Sequence, residues 1–375
     1  MSEETKQSER AKNNIFGAVL TGVAPSSNYR GETEANRTIL QKLRFPDGND
    51  YTVFSAETIR NHLREILRDD GIACNRSRVK DEGQLAVRYE KYPNPTEFAD
   101  DLLFGFLAVN KRKDEDDTRK KIEAAKNPKD GKKDAGKLQE LESKLKDITA
   151  YSQYQGDSVL RVNYAVSLTS FEDDSTMHQS PKLVGAFSNA DASAIIHREV
   201  HVSAYQYPFG LNLNDLRLPD EGTGDKKKGG EIKASYRTWT ANLLRAIGEL
   251  DQAGGNGARV MFPFAPVSII LRLTARRTPD FDLYGYRHVT NESQKDLIEA
   301  FEDNRLPGSE FYIGGNIVRE NSKLKALLYP PDGTQDLQAT KKSELNNVNL
   351  FKTAAAAIDA LIIKAGLEKP RKEEA

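Results

Sequence analysis

Two hydrophobic periods alternate along this chain in an order that few folds accommodate. Ile15 to Leu20 is a nearly continuous apolar run closed by Thr21-Gly22, as expected of a strand buried on both faces. Ser55 stands as an N-cap before Ala56-Glu57, and Ile59, Leu63, Ile66 and Leu67 then recur at helical spacing until Asp69-Asp70-Gly71. Val162, Tyr164, Val166 and Leu168 alternate with polar or small neighbours, and Glu199 to Tyr207 alternates again, which predicts two strands. Trp239, Leu243, Ile247 and Leu250 return to helical spacing, and Val267, Ile269, Leu271 and Leu273 to strand spacing. The order β-α-β-β-α-β is the split βαβ arrangement, so the chain is expected to be α+β with an RRM-like, ferredoxin-like palm: an antiparallel sheet with two helices on one face and the other face free. RRM domains use that free face for RNA.

Two long insertions interrupt this unit. Gly71 to Gly156 separates the first helix from the second strand, and its stretch 111–148 is dense in both charge signs. Leu138, Leu141, Leu145 and Ile148 keep a narrow helical stripe there, and Asn127-Pro128 to Gly131 breaks the run, which predicts a projecting helical hairpin. Phe171 to Arg198 separates the two middle strands and is far longer than the ~2–5 residues of a hairpin loop. The expected organisation is a first palm half at 13–70, a helical insertion at 71–156, a second palm half at 157–275 with the arm 171–198, and a C-terminal helical region at 276–375. In that last region a helix is expected near Ser293 to Phe301, and another from Leu350 to Ala365 with Gly366 at its C′ position.

Composition narrows the function classes. A chain of 375 residues carrying a net charge of −1 has no global field that draws it to nucleic acid, so any such site must be a local basic patch. One cysteine, Cys74, excludes an internal disulfide framework and a cysteine-rich zinc site and fits a reducing compartment. The opening MSEETKQSERAKNN has no apolar stretch, and no apolar run approaches the ~20 residues of a membrane span, so a cytoplasmic protein without membrane contact is expected.

Three groups of residues could contact an anionic polymer. The segment S-S-N-Y-R-G-E-T-E-A-N-R-T places Arg30 and Arg37 beside Asn28, Asn36 and Tyr29: guanidinium forks suit phosphate oxygens, amides add neutral donors, and a ring can stack on a base. The same arginines could simply pair with Glu32 and Glu34. On the first helix Arg60, Arg64 and Arg68 lie four apart as a basic stripe, and the N-terminus near Ser55 offers free N–H groups, while Glu57, Glu65 and Asp69 are alternative partners. The run Gly254-Gly255-Asn256-Gly257-Ala258-Arg259 follows a helix and precedes a strand, the wrong context for a P-loop or dinucleotide fingerprint. Its glycines would still permit close backbone approach to a phosphate or base, with Arg259 supplying charge, or serve only as a helix end and turn. In the arm, Met177 is an unbranched apolar side chain that could wedge between bases, and His178 adjoins it. The five histidines show no metal-binding spacing, and no nucleophile motif appears, so neither a catalytic residue, a metal nor a cofactor is expected.

Taken in order, G-A-V-L-T, S-N-Y-R-G-E with N-R-T, the helix F-S-A-E-T-I-R-N-H-L-R, and G-G-N-G-A-R ahead of F-A-P-V-S-I-I-L-R resemble the crRNA-binding backbone subunit of type I CRISPR Cascade, the Cas-seven family in its DevR, type I-B branch. The resemblance runs from Asn14 to Thr274. It implies that the palm binds crRNA, that 71–156 forms fingers, and that 171–198 forms a thumb hairpin, with Met177 and His178 on it, reaching the next subunit. It further implies partners: crRNA, a target DNA strand paired to the guide, other copies of the chain in a filament, and other Cascade subunits. A scaffold role is expected, with an RNA-cleaving member of the superfamily or a stand-alone nucleic-acid-binding regulator as alternatives. The long mixed-charge insert and near-neutral charge depart from a typical member.

Overall fold

Strand β1 (Asn14–Thr21) forms where the apolar run predicts it and sits inside the main sheet of the computed structural model, which describes residues 11–34, 36–80, 85–127, 134–180, 194–217, 232–253, 262–288, 292–328 and 347–369. After it come β2 (Ala24–Ser26), β3 (Tyr29–Glu34), β4 (Arg37–Leu40), β5 (Lys42–Arg44), β6 (Asp50–Phe54) and helix α1 (Ala56–Asp69). Beyond the first insertion lie β7 (Ala165–Ser167), β8 (Ser175–Ser180), β9 (Ala194–Glu199), β10 (His201–Ser203), β11 (Tyr205–Asn212), α2 (Ala234–Gly248) and β12 (Pro266–Thr274). The chain then adds α3 (Lys295–Glu302), β13 (Phe311–Gly315), α4 (Asn316–Glu320), α5 (Ser322–Leu328), β14 (Asn349–Phe351) and α6 (Ala354–Lys364). Two units divide the chain: residues 1–63, 162–211 and 241–375 form the first, 64–161 and 212–240 the second.

In the first unit the strands run β14-β13-β12-β1-β11-β7-β6-β5. β1 pairs antiparallel with β12 from Asn14↔Thr274 onward, and β7 pairs antiparallel with both β11 and β6. The four core strands therefore lie in the order fourth, first, third, second, which is the ferredoxin-like order.

Three expectations need correction. The predicted strand Val162 to Leu168 is broken: a short strand Leu160–Val162 ends before Asn163, whose Oδ1 accepts from Tyr164 N at 2.8 Å, and β7 restarts at Ala165. The predicted strand Glu199 to Tyr207 is three pieces, since β9 ends at Glu199, β10 pairs with β2, and β11 begins at Tyr205. Alternation has the same period in whichever sheet a strand joins, so it runs through both breaks unseen. The region 276–375 is not only helical: β13 pairs with β12 and β14 with β13, widening the sheet.

Nor is the second sheet face free along its whole width. Ala18, Ile270 and Ile313 share a core with Leu297, Ile298 and Phe301 of α3, Ile317 and Val318 of α4, and Leu324 of α5. On the opposite face a Cβ at Gly314 would strike Thr353 O and the Ala357 Cβ of α6. Ile269 and Ile270 are both fully buried, the physical reason both faces need a cover. Thr353 caps α6 by accepting from Ala356 N at 3.2 Å, and Gly366 sits just past its end at φ 68°. Arg245 of α2 clamps this end, with Nη1 and Nη2 on Glu368 at 2.6 and 2.8 Å and Nε on Asp359 at 3.0 Å.

The second unit holds an antiparallel ribbon, Arg76–Lys80 with Leu85–Tyr89, a buried helix Ala99–Phe104, and the helices Lys111–Lys126 and Ala135–Thr149, which pack on each other. Ile122 and Ile148 are buried, and Lys126 Nζ lies 3.2 Å from Glu142 Oε1. Asp100 accepts from the backbone of Asn75 and Arg76 at 2.7 and 3.0 Å, and Asp101 Oδ2 from Asn94 N and Asn75 Nδ2 at 2.8 and 3.0 Å. No helix among the described residues is long and apolar enough to cross a membrane.

Candidate nucleic-acid interface

The segment from Pro25 to Asn36 is mostly strand. β3 pairs with β4, and β4 pairs in parallel with β9 through His197↔Arg37 and Arg198↔Thr38, while β9 pairs with β8 from Ser175↔Glu199 to Ser180↔Ala194. The result is a sheet in the order β8-β9-β4-β3. Its hairpin falls in the predicted arm, and residues 181–193 of that arm lie outside the described residues. β3 and β4 escaped prediction because β3 is polar, β4 has only four residues, and β4 finds its second partner strand far away in sequence.

At the root of this sheet Glu199 is buried and accepts from Leu40 N at 2.9 Å and Lys42 Nζ at 2.8 Å, with Arg37 Nε 3.4 Å away. Arg37 directs its remaining nitrogens to Asp173. Lys42 Nζ stands 4.2 Å from the Phe171 ring centre, and the edge of that ring contacts His201 at 5.7 Å between centroids. His201 Nδ1 lies 2.6 Å from Thr52 Oγ1, which is 2.7 Å from the Tyr205 hydroxyl, itself 2.5 Å from Ser26 Oγ. Burial holds the His201 pKa below its ordinary value and pushes Tyr205 up to about 12, so both side chains are neutral at pH 7. A chain of neutral hydrogen bonds thus ties β2, β6, β10 and β11 where the hairpin leaves the palm.

The predicted contact residues separate into distinct settings. Asn28 is buried and its Nδ2 donates to Val53 O at 2.7 Å, a structural use of the amide. Tyr29 is half-buried, and burial raises its pKa. Arg30 lies in β3, its side chain outside the described residues. Asn36 is exposed at φ 65°, the left-handed turn joining β3 to β4, and its carbonyl accepts from His197 N at 3.0 Å. Ser55 is the N-cap expected, its Oγ accepting from Thr58 N at 3.2 Å. Arg60 is half-buried on α1. Arg64 is only 5% exposed, its Nε 3.3 Å from Asp100 and its guanidinium 4.6 Å from the Phe104 ring centre. Its expected contact with RNA therefore gives way to a structural ion pair. Met177 and His178 are exposed on β8, and His178 Nε2 lies 2.9 Å from Thr176 Oγ1. Gly254, Gly255, Asn256, Gly257 and Arg259 lie outside the described residues.

The β8-β9-β4-β3 sheet thus brings together Tyr29, Arg30, Asn36, Arg37, Met177 and His178, with Asn28 just before it, and leaves Arg64 out. Sequence reasoning missed Lys42, Phe171, Glu199 and His201. The one signal, for Glu199 and His201, was the polar run H-R-E-V-H at 197–201, which reads equally well as a solvated strand. Among the described residues no three His, Cys, Asp or Glu side chains converge to hold a metal.

No family model matches the chain. It is 28% identical over 319 residues, 81% of its length and 87% of the relative's, to the CRISPR-associated protein Cas7/Cst2/DevR of Myxococcus xanthus (strain DK1622). Among solved structures it is similar to a chain of a pre-nicking CRISPR RNA-guided surveillance complex, with a TM-score of 0.50 at 14% identity over 94% of this chain and 100% of that one. A chain of another CRISPR RNA-guided surveillance complex gives a TM-score of 0.46 at 11% identity over 94% and 99%. The fold is that of a CRISPR surveillance-complex subunit, an α+β palm with a hairpin arm and a helical insertion. The chain is similar to Cas7/Cst2/DevR over about four fifths of its length.

Proposed function

We propose that this chain is a crRNA-binding scaffold subunit that oligomerises along the guide in a Cascade effector complex, where RNA-guided recognition of a target DNA strand takes place. The observation that carries the reading is likeness to Cas7/Cst2/DevR over 81% of this chain and 87% of that protein. The sheet carrying Arg30, Asn36, Arg37 and Met177 supports it, because it joins in one element residues of two segments distant in sequence, with Asn36 and Met177 exposed. In this reading Arg37 is first a positioning residue, its guanidinium fixed by Asp173 and Glu199, while Arg30, Arg60, Arg259 and the glycine run 254–257 meet the RNA backbone. The hairpin β8-β9 acts as the thumb toward the next copy, and the insertion 71–156 as fingers. The cytoplasm is the compartment that such a complex requires.

The chain expressed with its neighbouring subunits is expected to purify with a discrete guide RNA, identified by sequencing the bound nucleic acid. Recovery without RNA and without sibling subunits would point to the stand-alone regulator. Metal-dependent cleavage of guide-paired RNA by the purified complex would instead mark an RNA-cleaving member.

A further inference from the structure

Helices α3 to α5 pack against Ala18 of β1, Ile270 of β12 and Ile313 of β13, and the other half of that sheet carries β11, β7, β6 and β5. Against this half lies a cavity of about 470 Å³. Of the twelve described residues that line it, five carry rings, Phe45, Tyr51, Tyr164, Tyr284 and Tyr286, and one, Arg287, is charged and pairs with Asp282. Leu43, Phe45 and Tyr164 are 40%, 37% and 39% exposed.

The walls are fixed in place. Phe45 and Tyr51 meet edge to face at 4.9 Å, and the Tyr284 hydroxyl donates to Tyr164 O at 2.7 Å. Arg287 is braced by Nη1 to the carbonyls of Tyr284 and Tyr286 at 2.6 and 2.9 Å and by Nη2 to Asp282 at 3.2 Å. Gln206 spends its Oε1 on Tyr286 N at 3.1 Å and Asn163 its Oδ1 on Tyr164 N at 2.8 Å, so each still offers an N–H₂ donor. Exposed ring surface beside amide donors for carbonyl oxygens and ring nitrogens suits a flat, acceptor-rich ring. A peptide added as a strand would instead use the backbone edge of β5, which is three residues long.

We propose that this cavity is a stacking site for an unpaired nucleobase, separate from the β8-β9-β4-β3 sheet. The proposal rests on the nucleic-acid reading above and adds to it a second contact of different chemistry.

The test titrates 2-aminopurine riboside, and a single-stranded hexaribonucleotide carrying 2-aminopurine, into the full-length chain and into Tyr51→Leu, Tyr164→Leu and Tyr164→Phe variants of unchanged melting temperature. Saturable quenching by the parent and by Tyr164→Phe is expected, with at least ~5-fold weaker binding in each leucine variant, since one base–ring stack is worth ~1–3 kcal/mol. Equal quenching in parent and leucine variants, or none of the free nucleoside, overturns the proposal. A photoreactive residue at Leu43 should cross-link to RNA; cross-linking to a second copy or to another protein overturns it too. Guide retention is measured in parallel. Binding of the nucleoside without a retained guide would remove the guide-scaffold reading and leave the cavity standing, whereas a normal guide without nucleoside binding removes the cavity alone.

Discussion

Arg272 and Glu310 form an ion pair inside the palm unit, Nη2 to Oε2 at 2.9 Å, with side chains 1% and 11% exposed. The same guanidinium reaches Asp280 at 2.8 Å and the Pro279 carbonyl at 2.5 Å, and it lies 5.2 Å from the Phe311 ring centre. Removing one member of a buried pair leaves the others charged and uncompensated, at a cost of roughly 3–5 kcal/mol. Arg272→Met is therefore expected to lower stability by about 3 kcal/mol in urea unfolding, and Arg272→Lys by less, because lysine keeps the charge and loses the fork. A neutral outcome for the methionine variant would show that the carboxylates find other cations, of which Lys12, 3.3 Å from Glu310, is one.

Gly17 of β1 lies beneath Phe209 of β11, so that a Cβ there would overlap the ring. Gly17→Ala should destabilise by about 1–3 kcal/mol through overpacking. The double variant with Phe209→Leu should recover part of that loss, and melting curves of the single and double variants decide it.

Asp101 has its pKa pushed up to about 6, first by burial and then by the neighbouring Asp100 charge. Between its ordinary value near 4 and about 6 the folded chain binds this proton and the unfolded chain does not. Its contribution to stability therefore rises as pH falls from 7 toward 4. Asp101→Asn can keep both hydrogen bonds now made to Oδ2, so at pH 7 it should gain on the order of 2 kcal/mol and lose this pH dependence. Melting temperatures of both proteins at pH 5 and pH 7 read the effect.

The pairs that join the hairpin to β4 are His197↔Arg37 and Arg198↔Thr38, and the Glu199 contacts lie next to them. Replacing 176–194 by a short Gly-Ser turn spares all of these, so a folded monomer that still binds RNA weakly is expected, one that no longer assembles into a filament or protects the guide at regular intervals. An unchanged periodic nuclease footprint would show that the arm is not the thumb.

Contacts made mainly to the RNA backbone predict affinity that is largely sequence-independent and sensitive to salt. If each copy neutralises ~4 phosphates, log K should fall with log salt at a slope of about −3 per copy on single-stranded RNA. Affinity indifferent to salt would contradict a backbone-directed site.

The palm was legible because its strands and helices bury apolar stripes, and periodicity reports burial directly: Ile59, Leu63 and Leu67 are fully buried as their spacing implied. What stayed hidden depends on partners far away in sequence. β4 is a strand because β9 pairs with it, β3 because β4 does, and β14 because β13 does. Arg64 read as a basic stripe because spacing shows which helix face a side chain occupies and not that Asp100 waits beside it. Asn28 looked like a ligand amide for the same reason, its acceptor Val53 O lying beyond any local pattern.

The palm is assembled from three separate stretches of chain, and its first strand finds its antiparallel neighbour only at residues 266–274. During synthesis β1 must therefore wait, exposed or chaperoned, until most of the chain has left the ribosome. Closing so long a loop before any pairing compensates it makes the palm a high-contact-order, slow-folding element. The second unit, built mostly from the continuous stretch 64–161, carries no such delay. Most of its contacts can therefore form before the palm has all of its strands.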